Sequence, residues 1–149
     1  MQSIFNYNTL NATLKRETRT LLIELNSNDT NAISMEMLFE LESLLAWTSD
    51  KVDIHSILFK SNKDIFSSGH NPNILKEQTQ SQIEKMTLKL QKLVQALLHL
   101  PQTVVIDIGH GANNIGAELS VGADIRIAHK SCKVSFNHSK LGLVPSSCG

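Results

Sequence analysis

Thr103-Val-Val-Ile-Asp-Ile-Gly-His-Gly-Ala-Asn-Asn-Ile-Gly-Ala-Glu118 is the most informative stretch of this chain. Residues 103–108 are a short apolar run of the kind found in strands buried on both faces. Glycines at 109 and 111 break the run, and residues 114–121 read as a short helix. A strand feeding a Gly-containing turn and then a helix leaves backbone N–H groups free at the helix start, where an oxyanion or phosphate is favoured. The spacing G-x-G-x-x-x-x-G is not the dinucleotide fingerprint. It also lacks the Gly-Lys-Ser/Thr ending of a phosphate loop. Glu118 falls one turn into the helix among mostly apolar residues, a setting that suits a carboxylate to acid–base work. On spacing alone, a capping or solvent-facing glutamate is the better reading.

Moving outward, residues 124–128 and 133–136 read as two further short strands. Upstream, Ile83, Met86, Leu90, Leu93, Leu97 and Leu100 recur at steps of three and four, and Pro101 ends that helix. Residues 61–80 read as a long polar loop containing Phe66-Ser-Ser-Gly-His70. Gly69 would let backbone approach a ligand closely there, although by itself a Gly-containing surface turn is the better reading. Residues 53–60 and 18–26 read as strands, with shorter extended pieces near 12–17 and 4–7 as hairpin partners. Between them Ser34 is an N-cap for a helix carrying Met35, Leu38, Leu41 and Leu45. Strands alternating with helices make an α/β protein.

Composition narrows the function classes. Apolar residues are 41% and charged residues 19% of 149, enough for one buried core. Fourteen basic against fourteen acidic residues give no net charge, which argues against an extended nucleic-acid surface. Cys132 and Cys148 lack metal-site spacing, so no metal is expected; they read as reduced thiols. There is no signal-peptide pattern at the N-terminus and no membrane-length apolar run, so the expected location is the cytoplasm. His138 follows the last strand and can exchange a proton near neutral pH. As one of six histidines it is not singled out by composition.

In order, these segments resemble the crotonase (enoyl-CoA hydratase/isomerase) superfamily. Leu25-Asn-Ser-Asn-Asp-Thr-Asn-Ala-Ile-Ser-Met-Glu-Met37 is similar to the family's L-N-x-P-x-x-N-A-x-S-x-x-M opening. Ile65-Phe-Ser-Ser-Gly-His-Asn71 is similar to its F-S-x-G-x-D loop, and Gly111 to Glu118 to its glycine-rich segment ending in a glutamate. Leu119-Ser-Val-Gly-Ala-Asp-Ile-Arg-Ile-Ala128 is close to L-A-x-x-x-D-I-R-I-A, and Lys140-Leu-Gly-Leu-Val-Pro145 matches K-L-G-L-x-P.

The resemblance implies a single domain over 1–149, built as a crotonase-like ββα superhelix and incomplete before the family's C-terminal helices. It implies an acyl-CoA thioester as substrate, with no separate cofactor and no metal. Backbone N–H groups of His70 and Ile115 would form an oxyanion hole for the enolate, and losing one such donor costs roughly 10²–10³ in rate. Ser68, Gly69 and Gly116 would line the substrate loop. Glu118 and His138 fall on the two catalytic carboxylate positions. The full-length parent would be a hydratase or isomerase of fatty acid metabolism, assembled as a trimer or hexamer, with no nucleic acid or membrane partner. The alternatives are a non-catalytic acyl-thioester-binding or assembly subunit, and a fatty-acyl signal synthase using acyl carrier protein thioesters. Four positions depart from the pattern: Ile115 and His110 replace glycines, Asn71 replaces Asp, and His138 replaces the second Glu. A domain stopping here is also expected to leave an apolar face uncovered.

Overall fold

Alternation of apolar residues builds the central sheet. The computed structural model describes residues 5–147. Its strands are β1 (Leu10–Lys15), β2 (Thr20–Leu25), β3 (Ser56–Ser61), β4 (Thr103–Asn113) and β5 (Ile125–Ser135), ordered β1-β2-β3-β4-β5. β1 and β2 form an antiparallel hairpin; β2 through β5 are parallel. Register pairs Leu21 with Ile57, and Ile57 with Val104. Ile23, Phe59 and Ile106 line up in the same way, so large apolar side chains stack on one face.

Two long helices cover that face. α1 (Met35–Ser49) starts where Ser34 Oγ accepts the Met37 N–H, the cap expected from sequence. It buries Leu38, Leu41 and Leu45 as anticipated, and Met37 and Leu44 besides. A short α2 (Pro72–Glu77) precedes α3 (Gln80–His99), and α3 packs on α1. Thr79 and Gln82 form a reciprocal capping box at the start of α3. Met86, Leu90, Leu93 and Leu97 are buried in one core with the strands, as core packing requires. α4 (Ile115–Val121) lies against β4, β5 and α3.

The structure corrects several sequence expectations. Residues 5–7 form no strand, and Ile4 lies outside the described residues. Phe5 instead stacks on Tyr7 and meets Trp47 edge-on, so the segment is held by aromatic packing onto α1. The polar loop contains α2, with Asn71 Oδ1 accepting the Asn73 and Ile74 N–H groups and Pro72 in the first turn. β4 is not buried on both faces: Val104, Ile106 and Ile108 are buried, but Val105 and Asp107 are half-buried. The two short strands after α4 are one continuous β5. Most of β5 is exposed, with Ile125 at 50% and Ile127 at 53%. Cys132 is a free, partly buried thiol; Cys148 lies outside the described residues. Among the described residues no helix is long and apolar enough to cross a membrane.

Two quoted motifs have structural jobs. The Asp124 carboxylate accepts the Val104 N–H at 2.8 Å, tying the α4–β5 turn to the start of β4. Arg126 donates to the carbonyls of Ser120, Val121 and Ala123, closing the C-terminal end of α4. Buried Asn31, at φ 48°, donates from its amide to the Leu25 carbonyl and Ser61 Oγ and accepts the Ser27 N–H. The 26–32 loop is therefore rigidly attached to the ends of β2 and β3.

Candidate active site

The site forms where three loops meet at the C-terminal ends of the parallel strands. Residues 64–67 dock on the far end of β4: His110 N–H donates to the Asp64 carbonyl, Phe66 N–H to those of Ile108 and Gly111, and Asn113 N–H to that of Ser67. Register shifts along β4 at Gly109 and Gly111 bend the strand toward this segment. The 26–32 loop grips it from the other side. Ser67 Oγ donates to the Asn31 carbonyl, and Ile33 N–H donates to that of Gly69.

Gly69 has φ +79°, and a Cβ there would stand 2.3 Å from the Asn113 carbonyl oxygen. A Cβ on Gly116 would meet Ser67 Cβ at 2.7 Å, so this glycine lets α4 press against the loop. The two expected loops are thus in direct contact, with His70 and Ile115 each at an edge of the junction. Neither His70 nor Ile115 donates its backbone N–H to a protein acceptor among the described residues. α4 has only seven residues, so these donors count as individual N–H groups rather than as a helix-end field.

An open cleft of about 420 Å³ lies against the junction, lined in part by Thr30, Ser68, His70, Asn114 and Leu141. Beside it, Glu118 (0% exposed) and His138 (1% exposed) meet with Nε2 2.7 Å from Oε1. The approach is close, but its alignment is not that of a hydrogen bond; among the described residues both ring nitrogens of His138 are buried without a hydrogen-bond partner. The side chains of Glu118 and His138 are therefore in contact. The His70 ring stands edge-on to that of His138, with centroids 6.1 Å apart. Burial is the main cause that lowers the His70 pKa from 6.5 to about 4. The electrostatic interaction with His138 lowers it further, and Glu118 opposes the shift.

The surroundings of Glu118 are not mostly apolar. The short 3₁₀ turn His138–Leu141 ends at Gly142 (φ 70°), and the chain then returns over α4. Ser146 and Ser147 both donate backbone N–H and hydroxyl groups to the carboxylate. Sequence reading missed these serines. Their only signal was a hydroxyl pair after Lys140-Leu-Gly-Leu-Val-Pro145. Among the described residues, no group of three or more His, Cys, Asp or Glu side chains is arranged to hold a metal ion.

Parallel strands, two docked loops and a buried carboxylate define a crotonase-type fold. The chain belongs to the enoyl-CoA hydratase/isomerase family, whose profile matches residues 15–149. It is 29% identical over 129 residues to ethylmalonyl-CoA decarboxylase of Rattus norvegicus, covering 81% of this chain and 41% of that protein. Among solved structures, Pseudomonas aeruginosa DspI superposes with a TM-score of 0.88 at 22% identity, over 98% of this chain and 56% of the other. An enoyl-CoA hydratase from Shewanella pealeana superposes at 0.85 with 23% identity, over 95% and 54%. The chain thus spans about two-fifths of that relative and a little over half of those structures.

Proposed function

We propose that this chain binds an acyl-CoA thioester and stabilises its enolate, with Glu118 and His138 moving the protons. The observation that carries the reading is the buried Glu118–His138 contact near a cleft lined by His70 and Asn114, with the backbone N–H groups of His70 and Ile115 accepted by no protein group among the described residues. The thioester oxygen sits between the N–H groups of His70 and Ile115, with Ser68, Gly69 and Gly116 shaping the loops around it. In hydration, water oxygen bonds to the β-carbon while His138 takes its proton. The electron pair passes through the α-carbon to the thioester oxygen, and Glu118 delivers a proton to the α-carbon. His138 then returns the proton to Glu118, whose Oε1 lies 2.7 Å from Nε2, once the two groups come into hydrogen-bonding alignment.

The decarboxylase relative fits the same site, since loss of a carboxylate from the α-carbon also forms an enolate. A second reading, a thioester-binding protein without catalysis, is favoured by the Ser146 and Ser147 hydrogen bonds that already occupy the Glu118 carboxylate.

The test is the loss of enoyl absorbance with crotonyl-CoA and longer enoyl-CoA thioesters. Glu118→Gln is expected to slow turnover roughly 10²–10⁴-fold with binding retained. Turnover that survives the substitution would sink the catalytic assignment, and binding without turnover in the unsubstituted protein would favour the second reading.

A further inference from the structure

An asparagine just before a helix ordinarily caps it. Asn114 does not: its side chain makes no capping hydrogen bond. Its backbone is fully used, with its N–H donating to the Ser135 carbonyl at 2.8 Å and its carbonyl accepting the Glu118 N–H at 2.9 Å. The backbone stands at φ 50°, ψ −124°, a region that L residues rarely enter and glycine enters freely. Asn114 is one of the residues that line the cleft. The residue is only 8% exposed, and Oδ1 is buried with no hydrogen-bond partner among the described residues.

Several neighbouring polar side chains of the cleft are already engaged, while His70 Nδ1, like Asn114 Oδ1, is buried without a hydrogen-bond partner among the described residues. Thr30 and Ser68 hydrogen-bond each other through their hydroxyls at 2.8 Å. Asn71 caps α2, and Asn113 Oδ1 accepts from Ser135 Oγ at 2.6 Å. Asn114 is adjacent in sequence to Ile115, whose N–H faces no protein acceptor. A strained residue holding an unclaimed acceptor at a ligand cleft has the form of a recognition group rather than a packing group.

We propose that Asn114 is a ligand-recognition residue whose carboxamide oxygen accepts a hydrogen bond from an N–H or O–H that the bound thioester carries near its carbonyl. This rests on the acyl-thioester reading. The thioester carbonyl and sulfur offer no donor. The donor is therefore either a hydroxyl on the acyl group or the first amide N–H of the carrier arm, which lies beyond a short methylene link.

The test measures binding of butyryl-CoA and 3-hydroxybutyryl-CoA by calorimetry to the unsubstituted protein and to Asn114→Gly, with a thermal melt of each. Glycine suits this backbone, so the melting temperature is expected to hold or rise. Affinity is expected to fall roughly tenfold, the effect of removing one hydrogen bond to a buried acceptor. A loss confined to the hydroxy ligand identifies the acyl hydroxyl as donor; an equal loss for both identifies the carrier amide. Unchanged affinity for both ligands overturns the proposal. So does a lowered melting temperature with affinity intact, which makes Asn114 structural. Failure of the unsubstituted protein to bind either thioester instead removes the acyl-thioester reading itself, and this inference with it.

Discussion

His70 is held neutral in the folded protein by burial first and by its electrostatic interaction with His138 second. Its consequence for stability has a definite sign. As pH falls through 6.5 the unfolded chain takes a proton at this position, while the folded chain does not until about 4. The unfolded state therefore binds more protons across that window, and stability falls as pH falls. Urea midpoints are expected to drop between about pH 6.5 and about 4, and to drop less steeply for His70→Gln. Equal slopes for the two proteins would contradict the depressed pKa. The same scale shows what a single residue can disclose in sequence. Glu118 was legible because five motifs in order surrounded it. His138 was legible only as the position where a second carboxylate was due. That it touches Glu118 at 2.7 Å depends on the return path of residues 136–142. Asn114 was not legible, because its unused oxygen is a fact about every neighbour that declines to pair with it.

At the scale of elements, the junction between the 64–70 segment and the β4–α4 turn decides whether a site exists. Gly69 and Gly142 share the left-handed conformation but differ in surroundings. A Cβ on Gly69 meets a backbone oxygen at 2.3 Å, whereas one on Gly142 meets nothing within 4 Å. Gly142→Ala should cost about 1–2 kcal/mol, the conformational term alone. Gly69→Ala adds a backbone clash and should cost more, with the two loops forced apart. Denaturant melts of both variants check this, and equal destabilisation would show that the junction can relax. Helices α1 and α3 were readable because an apolar stripe at a period near 3.6 and a capping residue are local properties. α2 carried its own signal, Asn71 followed by Pro72, but it was hidden inside a polar stretch. The aromatic docking of residues 5–7 carried no local signal, since Trp47 lies far along the chain.

At the scale of the molecule, the sheet ends in β5, a long edge strand with exposed Ile125, Ile127 and Val134. Such an edge recruits other strands. Self-association rising with concentration is expected for this chain, and Ile125→Lys with Ile127→Lys should reduce it, as light scattering would show. Scattering unchanged by the double substitution would move the contact elsewhere. The sequence by itself determined the α/β class, helices α1 and α3 between the main strands, and the family, because periodicity and motif spacing are written in residue identity. Tertiary structure alone decided that the sheet packs its helices on one face, that Ser146 and Ser147 reach Glu118, and that His70, His138 and Glu118 form one cluster. The reason is physical: burial, close contact and an unsatisfied buried atom are relations between distant residues, and they come into being only when the loops close on one another.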